Sequence, residues 1–450
     1  MKSNKTTMYS KFNLIIVTVL VLALFNFTAC SDDNSTGSDY NGETPGSQAT
    51  INGQVEDDFA KSSSTAKTKD IQGTVVTAAT ISSSGSVEMM EDTETEVESS
   101  GEFTLEFDAG IAEDVVVVAE NEGEELKGFI SAEVENGSSY TIKPLDVESS
   151  AETDVFAQVK SEGNAEIVHK SDIEPIVTSG NAAEIYGDGS ATVDVAAAVS
   201  NSAEARAEFF SEFSENAESE IDAYFESMTD AQFSLESTLN SSSSIDEEEA
   251  ALEAYLETKV NAYSEADLNE KQTAEFLHAQ GNVIVNSMSS VSSDVKSGAR
   301  HSTSTMIAIA TDNAVQASAE ASGMSDATIS AIADAGVSLR SDVQSSGGSE
   351  NSIEAAFETY HDEVQGAMES DFSVEGTAVV TIDTEINAAG GVKAGFNSTL
   401  SGLVDVSSLT DLYINFDNDV DAIVDANSAL IGDIDAEVLS DIMVLINLSS

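Results

Sequence analysis

Between residues 49 and 145 the apolar positions recur every second residue in short runs. Ile51, Gly53 and Val55 alternate with Asn52 and Gln54, and strand-like runs follow at 71–76, 86–90, 102–107, 114–119, 126–132 and 140–145. Ser83-Ser84-Gly85 and Asn136-Gly137-Ser138 punctuate them at hairpin-like intervals. Alternation sends successive side chains to opposite faces, so this block predicts a small antiparallel β-sandwich. From about residue 193 the apolar period becomes helical. Phe210, Phe213, Ala217, Tyr224 and Met228 read as one helix face; Leu252, Tyr255, Leu256 and Val260 form the next. A third stripe runs through Leu277, Ile284, Met288, Val291 and Val295, with Ser264-Glu265-Ala266-Asp267 as its opening capping box. Stripes at 306–321, 329–343 and 353–367 follow, separated by Ser322-Gly323 and by 346–349. Connections this short predict a helical bundle. Residues 379–382 read equally as a strand or a helix start, while 409–430 and 436–448 read as helices, the last one buried.

The fold class expected is therefore multidomain α+β: a β-sandwich over 49–146, a connector over 147–190 and an all-α bundle over 191–450. Residues 31–48, rich in Ser, Asp, Gly and Thr, bury no core and read as a flexible tether.

Ahead of the tether lies a different pattern. Lys2, Lys5 and Lys11 precede an apolar run over 14–27 that is shorter than the roughly 20 residues of a membrane-spanning helix. A charged start, a short apolar core and small residues behind it read as a secretory signal. The four residues Phe27-Thr28-Ala29-Cys30 resemble a bacterial lipobox, with Phe27 where that family has Leu. The resemblance implies that 1–29 is a signal peptide and that Cys30 becomes the lipidated first residue. Cys30 is the sole cysteine, so no intramolecular disulfide forms. Ser31-Asp32-Asp33-Asn34 is similar to the acidic stretch behind the cysteine of surface-exported lipoproteins, which implies outer-membrane anchoring and exposure at the cell surface.

Charge narrows the partners. The chain has 17 Lys and Arg against 82 Asp and Glu. Without Lys2, Lys5 and Lys11, 14 bases face 82 acids, a net of −68. Such a surface repels nucleic acid and anionic lipid heads, leaving the lipid anchor as the route to a membrane. A protein or glycan partner is not identified by these residues, and the absence of Trp argues against polysaccharide capture.

Ile51-Asn52-Gly53-Gln54-Val55, Gly101-Glu102-Phe103-Thr104-Leu105 and the run Val115-Val116-Val117-Val118 resemble carboxypeptidase-regulatory-like (prealbumin-like) sandwich domains. The resemblance spans roughly 49–146, and Met89-Met90 with the acidic run 91–98 departs from its pattern. It implies a non-catalytic spacer or binding module, and it carries over no active-site residue.

Candidate chemistry is sparse. No Gly-x-Ser-x-Gly elbow occurs. Gly187-Asp188-Gly189-Ser190 lacks the Lys of a phosphate loop and reads as a turn, whereas Asp417-Asn418-Asp419-Val420-Asp421 opens like a calcium loop but lacks its Gly and closing Glu. The sharper pattern is a pair of Glu-x-x-His motifs, Glu275…His278 and Glu358…His361. Di-iron bundles use one such motif from each of two helices, because three-residue spacing puts carboxylate and imidazole on one face. Against this, Glu275 sits about 200° from Leu277 around its helix, which directs it away from the core stripe. The reading taken from sequence is a non-catalytic, cofactor-free cell-envelope lipoprotein with a binding or structural role. The alternative is a di-metal (iron or manganese) carboxylate bundle using those four residues.

Overall fold

A computed structural model describes residues 48–449 apart from 57–70, 72, 131, 243, 266–267, 289, 372–374, 389–390, 403–407 and 432–434. The leader, Cys30 and nearly all of the tether lie outside the described residues. The strands are β1 (Ala49–Gln54), β2 (Val75–Ile81), β3 (Val87–Glu96), β4 (Glu102–Phe107), β5 (Ile111–Ala112), β6 (Val115–Asn121), β7 (Glu124–Phe129), β8 (Val134–Glu135) and β9 (Ser139–Thr141).

One sheet has the order β4-β1-β9 and the other β3-β2-β6-β7, with β5 and β8 as a small third pair. β1 runs antiparallel to β4, with Ile51 opposite Leu105, and parallel to β9. The alternation read from sequence is the burial pattern: Ala49, Ile51 and Val55 are buried, as are Phe103, Leu105 and Phe107 across from them. β2 begins at Val75 and runs to Ile81, later than the 71–76 run predicts. Residues 91–96 extend β3, an edge strand with a bulge where its register shifts between Thr77 and Ala79. Acidic side chains along an edge discourage pairing with another chain.

β6 explains the valine run. Val115 and Val117 join Ile51, Leu105 and Phe107 between the sheets. Val116 and Val118 face the other way, onto Val155, Phe156 and Val159. Both faces of the strand are covered, so four consecutive valines are buried.

The helices are α1 (Val147–Glu162), α2 (Lys170–Ile173), α3 (Ala182–Gly187), α4 (Gly189–Phe213), α5 (Ala217–Ser241), α6 (Ile245–Glu265), α7 (Glu270–Ser287), α8 (Ser293–Ala321), α9 (Asp326–Ser345), α10 (Glu350–Asp371), α11 (Glu375–Ala388), α12 (Val392–Gly402), α13 (Leu409–Ala426), α14 (Ser428–Ile431) and α15 (Ala436–Ser449). The architecture is the expected β-sandwich followed by a helical bundle.

Local details differ from expectation. The Phe210-to-Met228 stripe crosses a break, because α4 ends at Phe213 and α5 starts at Ala217. The third stripe likewise continues from α7 into α8. Ser264 lies in the last turn of α6, and the cap of α7 is Asn269, whose side chain accepts from the Gln272 N–H at 2.9 Å. Residues 379–382 are helical, inside α11. Asp188 caps α4 by accepting from the Ser190 N–H, the turn expected there. α15 lies against α7, α8, α10 and α13 with Ile442 to Leu448 buried. Among the described residues no helix is long and apolar enough to cross a membrane.

Candidate functional site

The four residues singled out by sequence have different partners. Glu275 on α7 is only 6% exposed, although the stripe directs it away from the core. Its side has neighbours because α13 and α15 bring Asp417 and Asp441 to Lys271, at 2.5 and 2.7 Å, while Lys271 lies 3.8 Å from Glu275. Burial pushes the Glu275 carboxyl up to about 8 despite that lysine. His278, one turn on, is half-buried, with its ring centroid 6.3 Å from that of Phe396. Burial, aided by the charge of Lys393, lowers its imidazole to about 4, so it is neutral at pH 7.

Glu358 is exposed on α10. His361 Nε2 lies 3.3 Å from Asp383 of α11. Burial alone would lower the His361 imidazole, but Asp383 and Asp362 outweigh it and raise it. The two motifs share one neighbour, Lys393 of α12, whose ammonium feels Glu354, Asp383 and Glu358 and acts on His278. Among the described residues no group of three or more His, Cys, Asp or Glu is arranged to hold a metal ion. Asp417 to Asp421 fall inside α13, where a helical backbone replaces the loop that calcium coordination needs.

The densest polar cluster is one that sequence did not indicate. It fills the junction between sandwich and bundle, around the four-residue helix α2. Lys170 donates to the Phe129 carbonyl at 2.9 Å and to Glu236 of α5. Gln232 donates to Glu236 and Glu174, and accepts from the Tyr255 hydroxyl at 3.1 Å. Arg206 of α4 grips both oxygens of Asp172 and donates to the Ile167 carbonyl, with its guanidinium 4.9 Å from the Tyr224 ring centre. Lys259 of α6 donates to the Ser171 carbonyl at 2.6 Å and lies 3.6 Å from Asp172. Lys143 holds Glu148 and Glu152, at 3.1 and 2.6 Å, between β9 and α1.

The electrostatics follow from enclosure. Burial by itself would raise the Asp172 carboxyl, but Arg206 and Lys259 outweigh it and hold it at about 2. Lys259 is pushed down to about 8 by burial, against the pull of Asp172. His169 lies beside them, with Nδ1 accepting from the Ser171 N–H and Nε2 3.0 Å from the Thr229 hydroxyl. Burial lowers its imidazole to about 4. Removing such ions from water costs several kcal/mol each, offset only where partners are complete. Here five helices and one strand supply most of them, and one oxygen each of Glu152 and Glu174 is left without a hydrogen bond.

Two of the cavities border His169, Lys170 and His278. One, of about 230 Å³, lies at the junction, with His169 and Lys170 in its lining beside Phe129, Phe156 and Phe225. The other, of about 400 Å³, lies among α7, α8, α10, α12 and α15 and includes His278 in its lining. Its Arg300 is a residue that sequence reasoning missed. The available signal was scarcity, since an acidic chain with few cations gives each one a purpose.

No family model matches this chain, and no curated protein or solved structure is significantly similar to it.

Proposed function

We propose that this chain is a non-catalytic lipoprotein of the bacterial outer membrane, with lipid on Cys30 and a sandwich-plus-bundle body held away from the membrane as a binding or structural unit. The observation that carries the proposal is the run over 14–30, a short apolar core ending in the chain's sole cysteine, followed by the polar tether. Two acyl chains or more are needed for stable anchoring, which lipoprotein processing supplies. The folded body supports the reading through its buried titratable groups. Lys170, Asp172, Arg206, Glu236 and Lys259 tie α2 to α4, α5 and α6, and the Lys170 bond to the Phe129 carbonyl carries that network to β7. In this reading the sandwich is the spacer that its resemblance to carboxypeptidase-regulatory-like domains implies. The di-metal alternative has less support, because a lysine ammonium stands near both Glu-x-x-His motifs.

Mass spectrometry of the N-terminus of the protein isolated from cells tests the anchor. The expected species begins at an acylated Cys30. A Cys30→Ser chain that still fractionates with outer membranes would overturn the proposal.

A further inference from the structure

Most cations in the described residues lie against carboxylates: Lys127, Lys143, Lys160, Lys170, Arg206, Lys259, Lys271 and Arg340 all do. Arg300 does not. Its single protein hydrogen bond among the described residues runs from Nη1 to the Gly348 carbonyl at 3.3 Å. No carboxylate there comes within ion-pair distance, and the residue is part of the lining of the 400 Å³ cleft. In a chain with 82 acids, an arginine left free of them in a cleft is the notable cation. A planar guanidinium with open donors is suited to a carboxylate.

The frame around Arg300 is tight. A Cβ on Gly348 would lie 1.9 Å from the Ser297 carbonyl oxygen, so the start of α10 sits directly on α8. A Cβ on Gly281 would lie 2.5 Å from Thr303, so α7 is similarly close. This packing sets Arg300 beside the first turns of α10, where Glu350 and Glu354 also border the cleft. Four-residue spacing puts those two carboxylates on one helix face. Phe357 and Leu400 provide an apolar wall, and the neutral imidazole of His278 adds a further hydrogen-bonding group.

We infer that this cleft binds an α-amino acid with an apolar side chain, as a zwitterion. Its carboxylate faces Arg300, its ammonium faces Glu350 and Glu354, and its side chain lies on Phe357 and Leu400. Charge decides between a zwitterion and a simple anion. The protein's net charge of −65 repels an anion at long range, whereas a zwitterion brings no net charge. The volume is within the roughly 300–1,000 Å³ of small-molecule pockets. The inference rests on reading the bundle as a binding unit and is independent of lipid on Cys30.

Calorimetric titration of the full chain in detergent tests it with three probes: L-leucine, 3-methylbutylamine, which lacks the carboxylate, and 4-methylpentanoate, which lacks the ammonium. Leucine is expected to saturate one site, with both analogues at least about tenfold weaker. Arg300→Gln should weaken leucine at least about tenfold and leave the amine unchanged, while Glu354→Gln should weaken leucine and leave the acid unchanged. Absence of saturable leucine binding up to about 10 mM would overturn the inference. So would 4-methylpentanoate binding as tightly as leucine, or full affinity in a folded Arg300→Gln chain. If Arg300→Gln fails to fold, the Glu354→Gln and analogue comparisons still decide. An acylated Cys30 on a chain that ignores leucine would leave the anchor standing and remove only this site.

Discussion

Two regions of this protein exclude water equally and do so with opposite chemistry. At the junction, Lys170, Arg206 and Glu236 are at most 2% exposed. In α15, Ile442, Met443, Val444, Leu445 and Ile446 are at most 1% exposed. The first region is held by charged pairs with fixed directions, the second by apolar contact among α7, α8, α13 and α15. Apolar packing rewards volume and tolerates rearrangement, whereas a buried ion pair is favourable only in one geometry. The difference matches position: α15 fills the bundle interior, while the junction sets α2 against α4, α5 and α6 beside the end of β7. Burial alone therefore does not tell which physics holds a region.

Three substitutions test this contrast. The largest effect is expected from Arg206→Met, which keeps the bulk and leaves Asp172 without its bidentate partner. A loss of about 3–5 kcal/mol is expected in urea unfolding, because the enclosed carboxylate then keeps only the more distant Lys259 as a cationic partner. Unchanged stability would show that the junction behaves like the apolar region after all.

The second effect comes from pH. His169 has a folded-state value of about 4 against an ordinary 6.5, so the unfolded chain binds the proton more readily in that window. Its stabilising contribution is complete above pH 6.5 and declines as pH falls towards 4, by about 3 kcal/mol. Acid also relieves repulsion among surface carboxylates, so the informative quantity is the difference between the parent and His169→Gln. The variant should show the shallower loss on acidification; identical pH profiles would remove His169 from the account.

The smallest effect is expected in the apolar region. Ile446→Val should cost about 1 kcal/mol, the transfer and cavity penalty for one methylene. That cost should be the same at pH 5 and pH 8. A cost that varied with pH would mean that α15 is coupled to the charges of Lys271 and Asp441.

Much of the fold was legible because its local patterns agree with its tertiary environment. Ile51 and Val55 alternate because one face of β1 meets β6 of the other sheet, and the helical stripes are the surfaces that α6 to α10 bury. Legibility failed where a pattern continued across a break. Phe213 and Ala217 keep the period although the helix stops between them, because both pack on the same core. It failed again at Glu275, whose burial depends on α13 and α15, far away in sequence. The junction was the least legible part. Lys170, Arg206, Glu236 and Lys259 each look like one more polar residue on a helix, and only the fold brings them together. The rarity of cations was the one local sign, and it marks Lys170, Arg206 and Lys259 but not Glu236.

The distribution of the junction along the chain also constrains the order of folding. Lys170 is made before α5 supplies Glu236, and Asp172 before α4 and α6 supply Arg206 and Lys259. Until those arrive, closing the sandwich's helical face would strand an uncompensated charge, so the nascent N-terminal half gains little by closing early. Pairings this remote impose a loop-closure cost before they return any stability, which slows the search and makes completion abrupt. Lys170, bonded both to the Phe129 carbonyl of β7 and to Glu236 of α5, thus makes one side chain answer to the end of the sandwich and to a helix position 66 residues further along the chain.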